Sequence, residues 1–340
     1  MIRTYIIEAT FEENYTPPKS FTGFALRGAL GIALKEIFCR KLSKPCFECN
    51  NAINCFYAYF FETGSYLKPN AKIATKSGKY GVTKPYVLTS VKIRNRKLQF
   101  KLTIFGPKAI RNEAYIIMAL IKAGQKGLGV DMKQNKRRKF KINKITSLNP
   151  FTKDRREAFN EETGYMINFA NLKELKTPIL NQLEEKAEKI ISLKPSKIII
   201  KLKTPTKLRR NNKTLIKPKI CNIIANLARK YSLLSEYHEI GKPLTPQQAK
   251  TIINFSKNNF KLIESNYREL TLKKYSLESN TKKNLGSFVK GIYINTIKDS
   301  FWNNKLNNLI VKLLLLGEYT GIGAFTTAGC GQMEIYWKIS

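Results

Sequence analysis

Apolar and polar residues alternate through "IRTYIIEATF", residues 2–11, and "KLQFKLTIFG", residues 97–106, the two-residue period of a half-buried strand. A different period governs the C-terminal third. Leu306, Leu309, Ile310, Leu313 and Leu314 recur at i, i+3, i+4 spacing and predict a helix, after which "GEYTGIGAFTTAGCGQMEIYW", residues 317–337, leads into a closing strand. Helices are also predicted over "FTGFALRGALGIALKEIF", residues 21–38, and "PKICNIIANLARKYSLLSEY", residues 218–237, the latter opened by Pro218. Gly23, Gly28 and Gly31 weaken the first of these, so close packing or close approach of a ligand must compensate.

One constant offset of 194 residues superimposes the two halves of the chain. Residues 2–11 fall on 196–205, residues 97–106 on 291–300, the helical pattern 107–122 on 301–316, and "GLGVDMKQNKRRKFKINKI", 127–145, on "GIGAFTTAGCGQMEIYWKI", 321–339. Each half reads strand, helix, strand pair, helix, strand. The expected fold class is therefore α+β: two tandem ferredoxin-like (RRM-like) domains with antiparallel sheets and a Cys-rich insertion in the first. The expected boundaries are 1–148, with the cysteine insertion at 39–60; a helical connector at 149–194; and 195–340, with a helical insertion at 244–272 and a glycine-rich loop at 321–331.

Charge narrows the partner. Lys and Arg number 61 against 24 acidic residues, a formal net charge of +37, and a chain this basic is expected to meet a polyanion. A membrane surface is the competing reading, but no stretch approaches the roughly 18 apolar residues of a spanning helix and no N-terminal signal pattern is present. The expectation is a cytoplasmic protein with no membrane partner.

In a reducing cytosol six cysteines need a reason other than disulfides. Cys39, Cys46, Cys49 and Cys55 form a C-x6-C-x2-C-x5-C cluster whose central pair suits structural zinc, with an iron–sulfur cluster and unligated thiols as alternatives. Such a zinc would staple the insertion, and no cofactor is expected in catalysis. Cations gather in "KQNKRRKF", 133–140, with Lys136, Arg137 and Arg138, and in "KLRRNNK", 207–213, with Lys207, Arg209 and Arg210. Both are candidate phosphate contacts, or else solvated hairpin tips. In the glycine loop, Gly329 and Gly331 would let backbone N–H groups approach a phosphate while Thr326 and Thr327 offer hydroxyls; the first Gly-x-Gly, shared with Gly127 and Gly129, is a turn. His238 is the chain's only histidine: a candidate general base or acid, or a cation suited to a helix C-terminus. Walker, HExxH, paired-acid and G-x-S-x-G motifs are absent.

The doubled pattern, "GIGAFTTAGCG", "TPTKLRR", "LARKYSLLSEYH", and "LRGALG" leading to "CFECNNAINCFYAYFFE" together resemble the CRISPR repeat-RNA endoribonucleases of the RAMP superfamily, over nearly the whole chain and in the family's order. The resemblance implies metal-independent cleavage of precursor CRISPR RNA within its repeats by 2′-OH attack, leaving 2′,3′-cyclic phosphate and 5′-OH ends. It also implies a catalytic histidine near the first helix, whereas residues 1–60 contain none. The candidates in its place are Arg27, Lys35 and Tyr15 nearby, and His238 with Lys290. Second-domain cations of histidine-free relatives map onto Lys282, Lys283 and Lys290. The partner is CRISPR repeat RNA, with effector-complex subunits as further partners and a monomer or homodimer as the assembly. Two alternatives stand: a non-catalytic RNA-binding RAMP subunit of a CRISPR effector complex, and an unrelated RNA-binding protein.

Overall fold

The computed structural model describes residues 1–14, 21–39, 45–67, 82–131, 136–166, 178–210, 213–276 and 281–339. Two compact units divide the chain: Met1–Lys176 with Tyr237–Ile240, and Thr177–Glu236 with Gly241–Ser340. No helix among the described residues is long and apolar enough to cross a membrane.

The first unit runs β1 (Ile2–Phe11), α1 (Gly23–Phe38), α2 (Phe56–Phe61), α3 (Thr63–Tyr66), β2 (Tyr86–Arg94), β3 (Lys97–Phe105), α4 (Pro107–Arg111), α5 (Glu113–Lys126), β4 (Leu128–Asp131), β5 (Lys136–Arg138), β6 (Phe140–Leu148), β7 (Arg155–Asn160) and β8 (Tyr165–Met166). Its sheet has the order β2-β3-β1-β6-β7-β8, antiparallel throughout. Alternation in β1 sends Tyr5, Ile7, Ala9 and Phe11 to the core. Register then places Ile7 opposite Phe100 on one side and Ile145 on the other. Leu26, Leu30 and Leu34 of α1 and Ile116 and Leu120 of α5 complete this core.

The second unit runs α6 (Glu184–Leu193), β9 (Lys197–Thr206), β10 (Arg209–Arg210), β11 (Lys213–Thr214), α7 (Ile220–His238), α8 (Pro246–Asn259), β12 (Phe260–Ser276), β13 (Thr281–Ile297), α9 (Asp299–Trp302), α10 (Leu306–Thr320) and β14 (Met333–Lys338). The last two residues of α7 cluster with the first unit. The second sheet has the order β12-β13-β9-β14, again antiparallel. In both sheets the first strand lies between the third and the last of the repeat, the ferredoxin-like arrangement that the doubled pattern predicts.

The repeat also holds at single residues. Gly127 ends α5 at φ 80° and Gly321 ends α10 at φ 62°, and two residues later Gly129 and Gly323 have φ 64° and 73°. Glycine is the residue that tolerates this helix-to-strand turn without strain.

Two expected helical stretches contain strands. Within 149–194, Arg155–Asn160 pairs with β6 and Tyr165–Met166 with Arg155–Asn160, so a hairpin extends the first sheet ahead of α6. Within 244–272, a capping box of Thr245 and Gln248 starts α8, which ends at Asn259. From Phe260 onward the chain pairs with β13 residue by residue, and tertiary pairing overrides any helical tendency there.

Candidate active site and nucleic-acid contacts

One grouping of functional side chains in the first unit surrounds the Phe61 ring. All six residues of α2, "FYAYFF", are buried. Phe60 and Phe61 stack on Tyr86 with ring centroids 4.6 and 6.1 Å away, and Tyr57 stacks on Phe61 at 5.7 Å. Gly31 of α1 seats the Phe61 ring: a Cβ there would overlap it. Two cations stand over the ring, the Arg27 guanidinium at 4.5 Å and the Lys84 ammonium at 5.0 Å from its centroid. Each such contact contributes about 0.5–2 kcal/mol, more as water is excluded.

Lys84 also donates to the Phe61 carbonyl and lies 3.8 Å from a Glu62 carboxylate oxygen. Its side chain keeps 20% of its exposure. Burial, and next the Arg27 charge, push its pKa down from 10.5 to about 8, against an opposing pull from Glu62. Beside Arg27 the surface is open, since a Cβ on Gly28 would meet nothing within 4 Å.

His238 is 2% exposed. Its Nε2 lies 2.7 Å from the Thr83 carbonyl oxygen, which can only accept, so Nε2 carries the proton. The ring packs edge-on against Tyr59 at 5.2 Å, and Nδ1 is buried without a hydrogen-bond partner among the described residues. Burial lowers the imidazole pKa to about 4, with Lys108 adding to the shift and the Thr83 carbonyl opposing it. A neutral, enclosed ring does not suit the general base or acid expected from its intrinsic pKa. Tyr15 lies outside the described residues.

The glycine loop departs from the expected phosphate cradle. The Gly329 N–H donates to the Thr326 carbonyl and the Gly331 N–H to the Pro205 carbonyl. Ile322 donates to Gly331, Ala324 to Lys207, and Gly323 to Asn226 Oδ1. One turn along α7, the Lys230 ammonium donates to the Thr320 and Gly321 carbonyls at 3.1 and 2.8 Å. These amides are therefore committed inside the fold. Thr326 is buried and Thr327 half-buried.

The basic candidates also separate. Lys207 is 4% exposed, donates to the Leu285 carbonyl and stands 5.2 Å from the Phe288 ring centroid, which makes it a brace for the second sheet. Arg209 and Arg210 are exposed on β10. Arg138 on β5 pairs with Glu13 at 2.6 Å, Arg137 is half-buried beside it, and Lys136 lies on the same strand. Lys282, Lys283 and Lys290 lie on β13. Only Val289–Thr296 of β13 pairs with β9, so Thr281–Phe288 forms a two-stranded arm with β12. Along this hairpin Lys283 faces Lys274 and Lys290 faces Arg268.

Cys39 caps α1, Cys55 caps α2, and the Cys49 N–H donates to the Cys46 carbonyl at 3.2 Å across the C-x2-C turn. All four thiols are half-buried, and burial together with Glu62, Cys55 and Cys39 raises the Cys46 pKa to about 11. Among the described residues no three Cys, His, Asp or Glu side chains are grouped closely enough to hold a metal ion.

A family model described as CRISPR-associated endoribonuclease Cas6 matches residues 200–333, and one described as an N-terminal domain matches residues 2–171. Residues 200–333 belong to the Cas6 family of CRISPR-associated endoribonucleases. Its fold is similar to a Cas6 product complex, with TM-score 0.53 and 14% identity over 99% of this chain and 100% of the other. It is also similar to Thermus thermophilus Cas6, with TM-score 0.50 and 13% identity over 99% and 98% of the two chains. Curated proteins give no match. Sequence named Arg27 as a candidate but gave no sign that it covers the Phe61 ring of "FYAYFFE". Lys84 carried no sequence signal among 61 lysines and arginines, and is set apart by its place over Phe61 beside Arg27.

Proposed function

We propose that the chain cleaves precursor CRISPR RNA within its repeats, using the RNA's own 2′-OH as nucleophile and no metal ion, to leave 2′,3′-cyclic phosphate and 5′-OH ends. The observation that carries this reading is the pair Arg27 and Lys84 over Phe61, a first-helix cation beside a lysine whose pKa lies near neutrality. In-line attack needs a proton removed from the 2′-OH, the extra phosphorane charge stabilised and the scissile phosphate held in line. Arg27 suits the second task, because a planar guanidinium reaches two phosphate oxygens at once and stays charged. The β12–β13 hairpin, which carries Arg268, Lys283 and Lys290, suits a polyanion.

A test is single-turnover cleavage of end-labelled repeat RNA by Arg27→Ala. Removal of a transition-state cation is expected to slow the chemical step by roughly 100-fold or more while the RNA still binds. The 3′ ends of the wild-type product should resist phosphatase until the cyclic phosphate is opened by acid. Binding without cleavage by the wild-type chain would instead support the non-catalytic RNA-binding subunit.

A further inference from the structure

Lys84 sits in a short segment that is fastened on both sides. Before it, the Thr83 carbonyl accepts from His238 Nε2 at 2.7 Å. After it, Pro85 restricts Lys84 to extended backbone, and the Pro85 carbonyl accepts from the Phe105 N–H at 2.9 Å. The side chain is held as firmly, by the Phe61 ring and carbonyl and by Glu62. A long lysine side chain carries about 2 kcal/mol of rotamer entropy, so this fastening is a cost that a solvated cation would not bear. It fixes Lys84 beside the one first-helix cation of the site.

We propose that Lys84 is the residue that takes the proton from the attacking 2′-OH, and that His238 is a positioning residue that holds it in place through the Thr83 carbonyl. This rests on the cleavage reaction proposed above. In the step, the neutral Lys84 amine accepts the 2′-OH proton as the 2′-oxygen bonds to phosphorus. The bond from phosphorus to the 5′-oxygen breaks, and the departing oxygen takes a proton from solvent. Lys84 then returns its proton to solvent. The charged groups acting on its Nζ are Arg27 from α1 and Glu62 from the join between α2 and α3, while the Cys46 thiol, its own pKa raised to about 11, is neutral where the step takes place. Burial and Arg27 favour the neutral amine, while Glu62 favours the ammonium. His238 stays clear of the RNA, which accounts for a sole histidine that is buried and neutral.

The test is the single-turnover rate on a repeat RNA across pH 6–10 for the wild-type chain and for Lys84→Met, Lys84→Arg, His238→Ala, His238→Gln and the double variant K84M/H238A. The wild-type rate should rise with pH to a plateau above about 8. Both Lys84 variants should lose roughly 100-fold or more; Lys84→Arg keeps the charge over Phe61 but has no lone pair to offer, so a folding defect does not explain its loss. His238→Ala should slow the reaction less than Lys84→Met and move the midpoint upward, and His238→Gln, whose amide can still donate to Thr83, should recover most of the rate. The double variant should be no slower than K84M. Cleavage by Lys84→Arg at the wild-type rate would overturn the role of Lys84. So would rescue of Lys84→Met by a 5′-bridging thio substrate, whose leaving group needs no proton. Additive losses in the double variant would overturn the role of His238. No cleavage by the wild-type chain would overturn the nuclease reading itself.

Discussion

A histidine that is neutral in the fold but titrates normally in the unfolded chain makes stability depend on pH. His238 is held near 4 against an ordinary value of 6.5, so the unfolded chain binds its proton more tightly. Its contribution is complete above about pH 6.5 and falls as pH drops toward 4, by up to about 3 kcal/mol. Urea unfolding at pH 7 and pH 4.5 should therefore show a larger loss for the wild-type chain than for His238→Gln; equal losses would mean that the ring is charged in the fold. The intrinsic pKa of histidine suggested chemistry, and sequence could not show that the ring lies among Tyr59, Thr83 and Lys108. Those residues are distant in the chain and converge only through tertiary packing. Lys84 is the converse case, a lysine like many others until burial and Arg27 lower its pKa.

At the scale of elements, the two glycines of α1 differ in what surrounds them. Gly31 carries the Phe61 ring, whereas the space beside Gly28 is open. Gly28→Ala is expected to stabilise the chain by up to about 1 kcal/mol through helix propensity, and Gly31→Ala to destabilise it and slow cleavage by shifting the ring under Arg27 and Lys84. Chemical unfolding beside a cleavage assay distinguishes them. The glycine loop is a matter of architecture: at Gly331, φ is 73° and a Cβ would overlap the Ile322 carbonyl, so Gly331→Ala should cost about 3 kcal/mol or more. The Gly-x-Gly turn was legible because its counterpart recurs 194 residues earlier. The use of the later amides was not, because their acceptors lie on β9 and in the loop itself. On the β12–β13 hairpin, neutralising Arg268 and Lys283 together should weaken RNA binding across sequences. It should also flatten the salt dependence, by about 0.7 in log–log slope for each phosphate deprived of its cation, measured by filter binding over a salt series.

For the whole molecule, the repeat carried most of what sequence could give. An ungapped offset located both ferredoxin-like units because strand alternation, helical spacing and the paired glycine turns all obeyed it. It located less well what the repeat does not contain: the β7–β8 hairpin, the extension of β12 into a stretch expected to be helical, and the cysteine turn. A net charge of +37 pointed to a polyanion, yet only the fold divides bracing cations such as Lys207 and Lys230 from exposed ones such as Arg209 and Arg210. The central claim is that the chain cuts repeat RNA with the RNA's own 2′-OH. Its most direct test places a single 2′-deoxy substitution at the scissile nucleotide and follows single-turnover cleavage in EDTA beside the all-ribose RNA. The expected result is full cleavage of the ribose substrate and none of the deoxy substrate, with both bound equally well; cleavage of the deoxy substrate, or loss of all activity in EDTA, would contradict it.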